Sequence, residues 1–155
     1  MPLASLVQYR LMLPTVFDEY GTQRLAAWRQ FRQSLETSET ALQDVAKLWT
    51  HAPFVNSYLD PQLPTEWPDP WHLMLDLHLD DLALVLGMLY TIKLTQRFSH
   101  TVCEIHMSMS PEKNSTQYLL LVDHSHVLNL EHGAVVEKQR LESLDTKTIY
   151  SVSSL

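Results

Sequence analysis

The densest group of potential metal ligands in the chain lies around Asp123, which is followed by His124 and His126. On a strand, side chains two residues apart point to the same face, so the two imidazoles could share one ion. Zinc requires at least a third protein ligand, which His106 or His132 could supply. The alternative is a polar hairpin turn with solvated histidines. We favour this alternative, and no metal site or cofactor is predicted.

Cys103 is the only thiol in the chain that could act as a nucleophile. Reactive thiolates lie at helix N-termini or beside cations. Cys103 instead lies in an apolar stretch beside Glu104, whose negative charge opposes thiolate formation. A single cysteine also excludes an internal disulfide framework and a multi-cysteine zinc site, and it suits a reducing cytoplasm. We therefore predict a buried structural cysteine.

The adjacent acids Asp80 and Asp81 could form a general acid–base pair or a cation site. Neighbouring residues on a helix do not face each other, so the two carboxylates do not converge. Their position at the positive end of a helix explains both more simply. The sequence contains no G-x-S-x-G elbow and no glycine-rich phosphate loop. No catalytic residue and no small-molecule substrate are predicted.

The elements that position these residues follow from hydrophobic patterning. The segment DDLALVLGMLYTIKLTQRF, residues 80–98, is apolar on nearly all sides, which is typical of a central buried helix. Lys93 and Arg97 lie at its negative end. Asp69-Pro70-Trp71 predicts the start of a shorter helix, with an acidic N-cap and proline at the first helical position. We expect the side chain of Trp71 to be anchored on the domain.

Two helices are predicted upstream. The first runs from Gly21-Thr22 to about Leu35, with Thr22 as its N-cap. Its apolar stripe is formed by Leu25, Trp28, Phe31 and Leu35, and Arg24, Arg29 and Gln33 lie off this stripe. The second follows a Thr37-Ser38 cap and ends before Pro53, because the residue before proline is disfavoured in a helix. We interpret residues 1–20 as an extended arm.

Beyond residue 100 the pattern indicates strands. Alternating or apolar runs separated by polar turns predict strands at 101–109, 117–122, 126–130, 134–137 and 147–152, the last at an edge. The prediction is a single α+β domain over residues 1–155. Its N-terminal helices and one central buried helix pack against a C-terminal antiparallel meander over residues 101–152.

A proline-rich strap, residues 52–70, separates the second and third helices. Its five prolines remove backbone donors, so the strap cannot form a helix or a central strand. Its aromatic residues argue against disorder, and long ordered loops are often functional. We predict that Phe54, Tyr58, Leu63 and Trp67 form a partner-binding surface. Within it, Trp67 is anchored on the domain, while Phe54 and Tyr58 reach outward.

Composition restricts the choice of partner. The chain has 11 basic and 18 acidic residues, a net charge of −7, and its only basic cluster is Arg24, Arg29 and Arg32. Direct binding of nucleic acid is therefore not predicted. Charged residues make up only 19% of the chain, against a usual ~25%. The longest apolar run, residues 82–90, is about half of what a membrane span requires, and residues 1–14 lack the features of a signal peptide. These features favour protein partners.

The order of a buried helix followed by a strand meander, over residues 70–132, is similar to the core of transglutaminase-like and papain-like cysteine enzymes. In that family a nucleophilic Cys opens the helix, a His begins a following strand and an Asp lies on the next. Those positions fall near Asp81, Gln117 and Asn129 here, and none matches. The resemblance implies a scaffold without an active site.

The chain also resembles short uncharacterised proteins of tailed bacteriophages, particularly those that infect cyanobacteria and other marine bacteria. The resemblance spans residues 31–123 and is carried by FRQSLETSETALQDVAKLW, WPDPWHLM, LGMLYTIKLTQRF, CEIHM and YLLLVD. It implies a non-enzymatic structural component of the virion, in the tail, baseplate or neck. Such a protein is assembled in the host cytoplasm and packs, in multiple copies, against other virion proteins. Three alternatives stay open: a transglutaminase-like enzyme, a metal-dependent hydrolase, and a non-virion phage factor that binds a host protein.

Overall fold

A computed structural model describes residues 16–110 and 114–155, and it confirms the α+β class. The helices are α1 (Gly21–Leu35), α2 (Ala41–Trp49), α3 (Pro70–Asp76) and α4 (Asp81–Lys93). The strands are β1 (Cys103–Ser110), β2 (Ser115–Val122), β3 (His126–Leu128), β4 (Val135–Glu137) and β5 (Thr146–Val152). Short 3₁₀ turns lie at Pro64–Glu66, Gln96–Phe98 and Lys138–Leu141.

The described strands form one five-stranded sheet in the order β4-β3-β2-β1-β5. Each neighbouring pair is antiparallel. The first four strands form the predicted meander. The fifth returns to the open edge of β1 and becomes the edge strand that its sequence predicts. The register of the β1–β5 pairing shifts between Ile105 and His106.

Helix α4 is the centre of the core, as predicted. All of its thirteen residues except Asp81 and Leu84 are buried. It begins as predicted, because the Asp80 carboxylate caps it by accepting a hydrogen bond from the Ala83 N–H at 2.8 Å. It ends at Lys93, earlier than the predicted residue 98, and the chain continues into a 3₁₀ turn.

Helices α1 and α2 are tied to α4 through one hydroxyl group. Thr91, which is fully buried, accepts hydrogen bonds from Nε1 of Trp28 and of Trp49, both at 3.1 Å. Its hydroxyl donates to the Gly87 carbonyl at 2.7 Å. The donor and both acceptor positions of the hydroxyl are therefore occupied. The indole of Trp49 lies directly over Gly87, where a side chain would have no room.

In the N-terminal part of the chain, the structure differs from three predictions. Thr22 is not the cap of α1: Tyr20 holds that position without a side-chain hydrogen bond. Helix α2 begins at Ala41 rather than after Thr37-Ser38, and the Ser38 hydroxyl instead donates to the Asp44 carboxylate at 2.6 Å. The arm interpretation is wrong for residues 16–18, which are helical, and the rest of the arm up to residue 15 lies outside the described residues.

Two basic residues are buried: Arg24, which patterning places off the apolar stripe of α1, and Lys93, which it places at the end of α4. Arg24 is 6% exposed, and its guanidinium donates to the carbonyls of Met74 and Leu75 at the end of α3. Lys93 is 3% exposed. Its ammonium shares its three N–H groups among four carbonyls within hydrogen-bond distance, those of Phe98, Ser99, Thr101 and Ser153. Each buried cation therefore makes hydrogen bonds to backbone carbonyls, which offset the cost of its desolvation.

Candidate functional site

The strap, residues 52–70, is fastened to the start of α4 by its backbone. The Asp80 carboxylate that caps α4 also accepts a hydrogen bond from the Leu59 N–H at 2.7 Å. The Val55 N–H donates to the Leu79 carbonyl at 3.0 Å. One buried acid thus orders both the helix start and the strap.

The end of the strap is fastened by aromatic side chains. Nε1 of Trp67 donates to the Asp60 carbonyl at 2.8 Å, and the indole packs on the ring of Tyr150 with 5.2 Å between centroids. The Tyr90 hydroxyl donates to the Pro68 carbonyl at 2.6 Å. Burial raises the pKa of Tyr90 to about 12, so this hydroxyl stays protonated and remains a donor at neutral pH.

Three of the four residues predicted to bind a partner lie in solvent. Phe54 is 62% exposed, Tyr58 77% and Leu63 42%. Trp67 is partly buried against the core, as expected for an anchor, and presents less surface. The expected anchoring of Trp71 is incomplete: its ring meets Trp28 edge-on, 6.0 Å between centroids, but 45% of the residue is exposed. We call Phe54, Tyr58 and Leu63 the strap surface.

The histidines near residue 124 do not form a metal site with the predicted third ligands. Nδ1 of His124 lies 3.5 Å from the Glu104 carboxylate, and Nε2 of His106 lies 4.0 Å from it. Nδ1 of His126 instead contacts the Ser125 hydroxyl, and His132 lines a different cleft. Within residues 16–110 and 114–155, no group of three or more His, Cys, Asp or Glu side chains is arranged to hold a metal ion.

Cys103 is fully buried at the start of β1. Burial raises the pKa of its thiol to about 11, although the nearby charge of Lys93 opposes this shift. The thiol is therefore protonated at neutral pH and inaccessible, which is the structural role that the sequence predicts.

We expect iodoacetamide to leave Cys103 unmodified in the native protein at about pH 8, because only roughly a thousandth of a thiol with this pKa is ionised there. Unfolding in guanidinium should make the same thiol fully reactive. Intact-mass spectrometry measures both states. A Ser125→Cys variant, whose new thiol would lie at an exposed turn position, is the positive control. Native Cys103 alkylation at the rate of this control would contradict the buried role.

The three positions assigned by the resemblance to cysteine enzymes do come together. Asp81, Gln117 and Asn129 line one cleft of about 410 Å³ at the start of α4. The Gln117 amide donates to the carbonyls of Asn129 and Leu130, and the Asn129 amide donates to the Tyr118 carbonyl. A carboxylate occupies the nucleophile position, and both amides are engaged in holding the backbone. These three side chains therefore do not reproduce the Cys, His and Asp of those enzymes.

Comparison with known proteins adds no relative to this picture. No protein-family model, curated protein or solved structure matches the chain. Among the helices in the part of the chain that the structure describes, none has the length and apolar character needed to cross a bilayer.

Proposed function

We propose that this protein is a non-enzymatic structural component of a bacteriophage virion that docks onto neighbouring virion proteins through the strap surface. The observation that carries the proposal is the contrast between a fastened strap backbone and its exposed side chains. Phe54 and Tyr58 are 62% and 77% exposed, although the Val55 and Leu59 N–H groups beside them are hydrogen-bonded to the domain. The strap therefore holds large apolar groups in solvent at fixed positions.

Such an arrangement favours association on energetic grounds. Binding loses affinity when loops and side chains must be ordered at the interface, at about 0.5–1.5 kcal/mol for each flexible side chain. Here the hydrogen bonds to Leu79 and Asp80 order the backbone before any partner arrives. Phe and Tyr have few rotatable bonds and large areas, and aromatic residues are enriched among those that dominate interfaces. Docking would thus gain apolar burial with little further ordering.

Charge and sequence resemblance support the choice of partner. A net charge of −7 disfavours nucleic acid, and charged residues are only 19% of the chain. The resemblance to proteins of tailed bacteriophages favours a virion component assembled in the host cytoplasm, in the tail, baseplate or neck. In this proposal the strap surface packs, without a cofactor, against other virion proteins that are present in multiple copies.

Replacing Phe54 and Tyr58 together with Ala is expected to reduce incorporation into particles at least about tenfold, the equivalent of one lost contact of ~1.4 kcal/mol. The melting temperature should change little, because substitutions at exposed positions usually alter stability by less than about 0.5 kcal/mol. Copy number per purified particle, by quantitative mass spectrometry, and thermal unfolding of the isolated protein are measured separately.

The matched control replaces Tyr20 and Met109 with Ala. These side chains are 79% and 58% exposed and lie outside the strap. This control should enter particles normally. Equal loss in both double variants, or a large fall in melting temperature for the strap variant alone, would contradict docking through the strap surface. Absence of the wild-type protein from purified particles, together with capture of a host protein, would favour the non-virion phage factor instead.

A further inference from the structure

A second surface, separate from the strap surface, carries unpaired positive charge. A cleft of about 670 Å³ lies between the exposed side of α1 and the start of α3. Its polar and aromatic lining is formed by Arg29, Gln30, Arg32, Gln33 and Trp71. It shares no residue with the strap surface. In a chain of net charge −7, two guanidiniums in one cleft stand out.

Arg32 is held in place by two indoles. Its guanidinium carbon lies 4.5 Å from the ring centroid of Trp28 and 5.8 Å from that of Trp71. Its Nε is buried and has no hydrogen-bond partner in residues 16–110 and 114–155. Stacking of this kind fixes the plane of a guanidinium, and because Nε is buried, a partner's carboxylate would approach Arg32 at its terminal Nη1 and Nη2 groups.

Neither arginine of the cleft has a counter-ion within the described residues. The ion pairs among the described residues involve neither Arg29 nor Arg32. Arg140, by contrast, is paired with the Glu131 carboxylate at 2.7 Å. Arg24, one turn before the cleft, is occupied by backbone carbonyls. Of the residues outside the described ranges, 1–15 contain no Asp or Glu, and 111–113 contain one acid, Glu112. Burial lowers the pKa of Arg32, and the like charge of Arg29 lowers it further. An anion between the two would relieve this repulsion.

We infer that this cleft binds a carboxylate side chain of a protein partner, with Arg32 and Arg29 on the carboxylate and the exposed ring of Trp71 against the adjoining part of the partner. Planar guanidinium and carboxylate groups match each other in geometry. Two charges suffice for one carboxylate, whereas a polyphosphate or a nucleic acid needs more positive charge than this acidic chain provides. The inference goes beyond the proposed function and stands independently of the strap surface.

The probe is N-acetyl-tetraglutamate amide, and N-acetyl-tetraglutamine amide is its uncharged match. Arginine Nε–H signals in ¹⁵N-labelled full-length protein report binding at each guanidinium. We expect tetraglutamate to shift the Arg29 and Arg32 signals saturably and tetraglutamine to leave them unchanged. Arg29→Gln removes a charge, and Arg32→Lys keeps the charge but removes the planar group that pairs with a carboxylate through two hydrogen bonds. Each should weaken tetraglutamate binding about tenfold. Arg140→Gln, which removes a paired arginine elsewhere, should leave the affinity unchanged.

Arg29 is exposed, so Arg29→Gln keeps the test valid even if Arg32→Lys fails to fold. Equal binding of the two peptides, or an unchanged affinity in Arg29→Gln, would overturn the proposal. Tighter binding of inorganic phosphate or of a single-stranded oligonucleotide than of tetraglutamate would also overturn it, because the cleft would then recognise phosphate rather than a protein carboxylate.

Discussion

Leu86→Asp is expected to abolish soluble, cooperatively folded protein. Leu86 is 1% exposed near the middle of α4, which packs on α2 and on the sheet. An aspartate there would bury a carboxylate with no partner, which costs several kcal/mol even after relaxation. That loss is comparable with the whole stability of an ordinary domain, roughly 5–15 kcal/mol. Soluble yield, far-ultraviolet circular dichroism and thermal unfolding measure the effect.

The matched control is Leu75→Asp. Leu75 also lies on a helix, α3, but is 41% exposed, so its carboxylate would remain hydrated. This variant should be soluble and should unfold cooperatively near the wild-type temperature. A Leu86→Asp protein that behaved like the control would mean that α4 is not the centre of the core.

Gly87→Ala is expected to destabilise the protein by roughly 2–4 kcal/mol, although alanine normally favours a helix by about 1 kcal/mol over glycine. A β-carbon at Gly87 would lie 2.1 Å from a ring carbon of Trp49. The indole cannot easily move, because its Nε1 is bonded to Thr91 and its ring packs edge-on against Phe17 at 5.1 Å. Overpacking therefore outweighs the gain in helix propensity. Guanidinium unfolding gives the free energy directly.

A double-mutant cycle identifies the cause. Trp49→Phe alone should cost stability, because it leaves a gap and removes a hydrogen bond to Thr91. Combined with Gly87→Ala, the smaller ring makes room for the methyl group, so the pair should be less destabilised than the sum of the two single variants. Additive losses, or a more stable Gly87→Ala protein, would show that the indole does not restrict this site.

The starts of α3 and α4, the buried helix and the strands could be predicted from the sequence, because each depends on residues that are close together along the chain. Asp69 and Asp80 cap α3 and α4 because an acidic residue before a helix accepts its free N–H groups, a relation contained within four residues. The burial of α4 followed from its composition, and the strands followed from runs between polar turns. The exposure of Phe54 and Tyr58 agreed with a strap whose prolines prevent it from joining the core.

The buried cations could not be predicted, because their partners are remote in sequence or lie in a loop. Arg24 is bonded to carbonyls 50 and 51 residues away and to one 5 residues away. Lys93 is bonded to one carbonyl 60 residues away and to three in the loop 5, 6 and 8 residues after it, whose return towards the ammonium is not visible in a hydrophobic pattern. Hydrophobic periodicity treats a charged residue as solvent-facing and contains no information on distant carbonyls. Nor does the sequence show that packing of α1 against α3 brings the Trp71 ring to within 5.8 Å of the Arg32 guanidinium carbon.

The four carbonyls bonded to Lys93 have a consequence for synthesis of the chain. Its ammonium joins the end of α4 to Ser153, just after β5, and β5 is hydrogen-bonded to β1, the first strand made. Ile149, Tyr150 and Val152 also pack on the core. Contacts so far apart in sequence form late. On the ribosome, the Lys93–Ser153 hydrogen bond and the β1–β5 pairing can therefore form only after β5 has emerged, later than the contacts of α4 with α1 and α2.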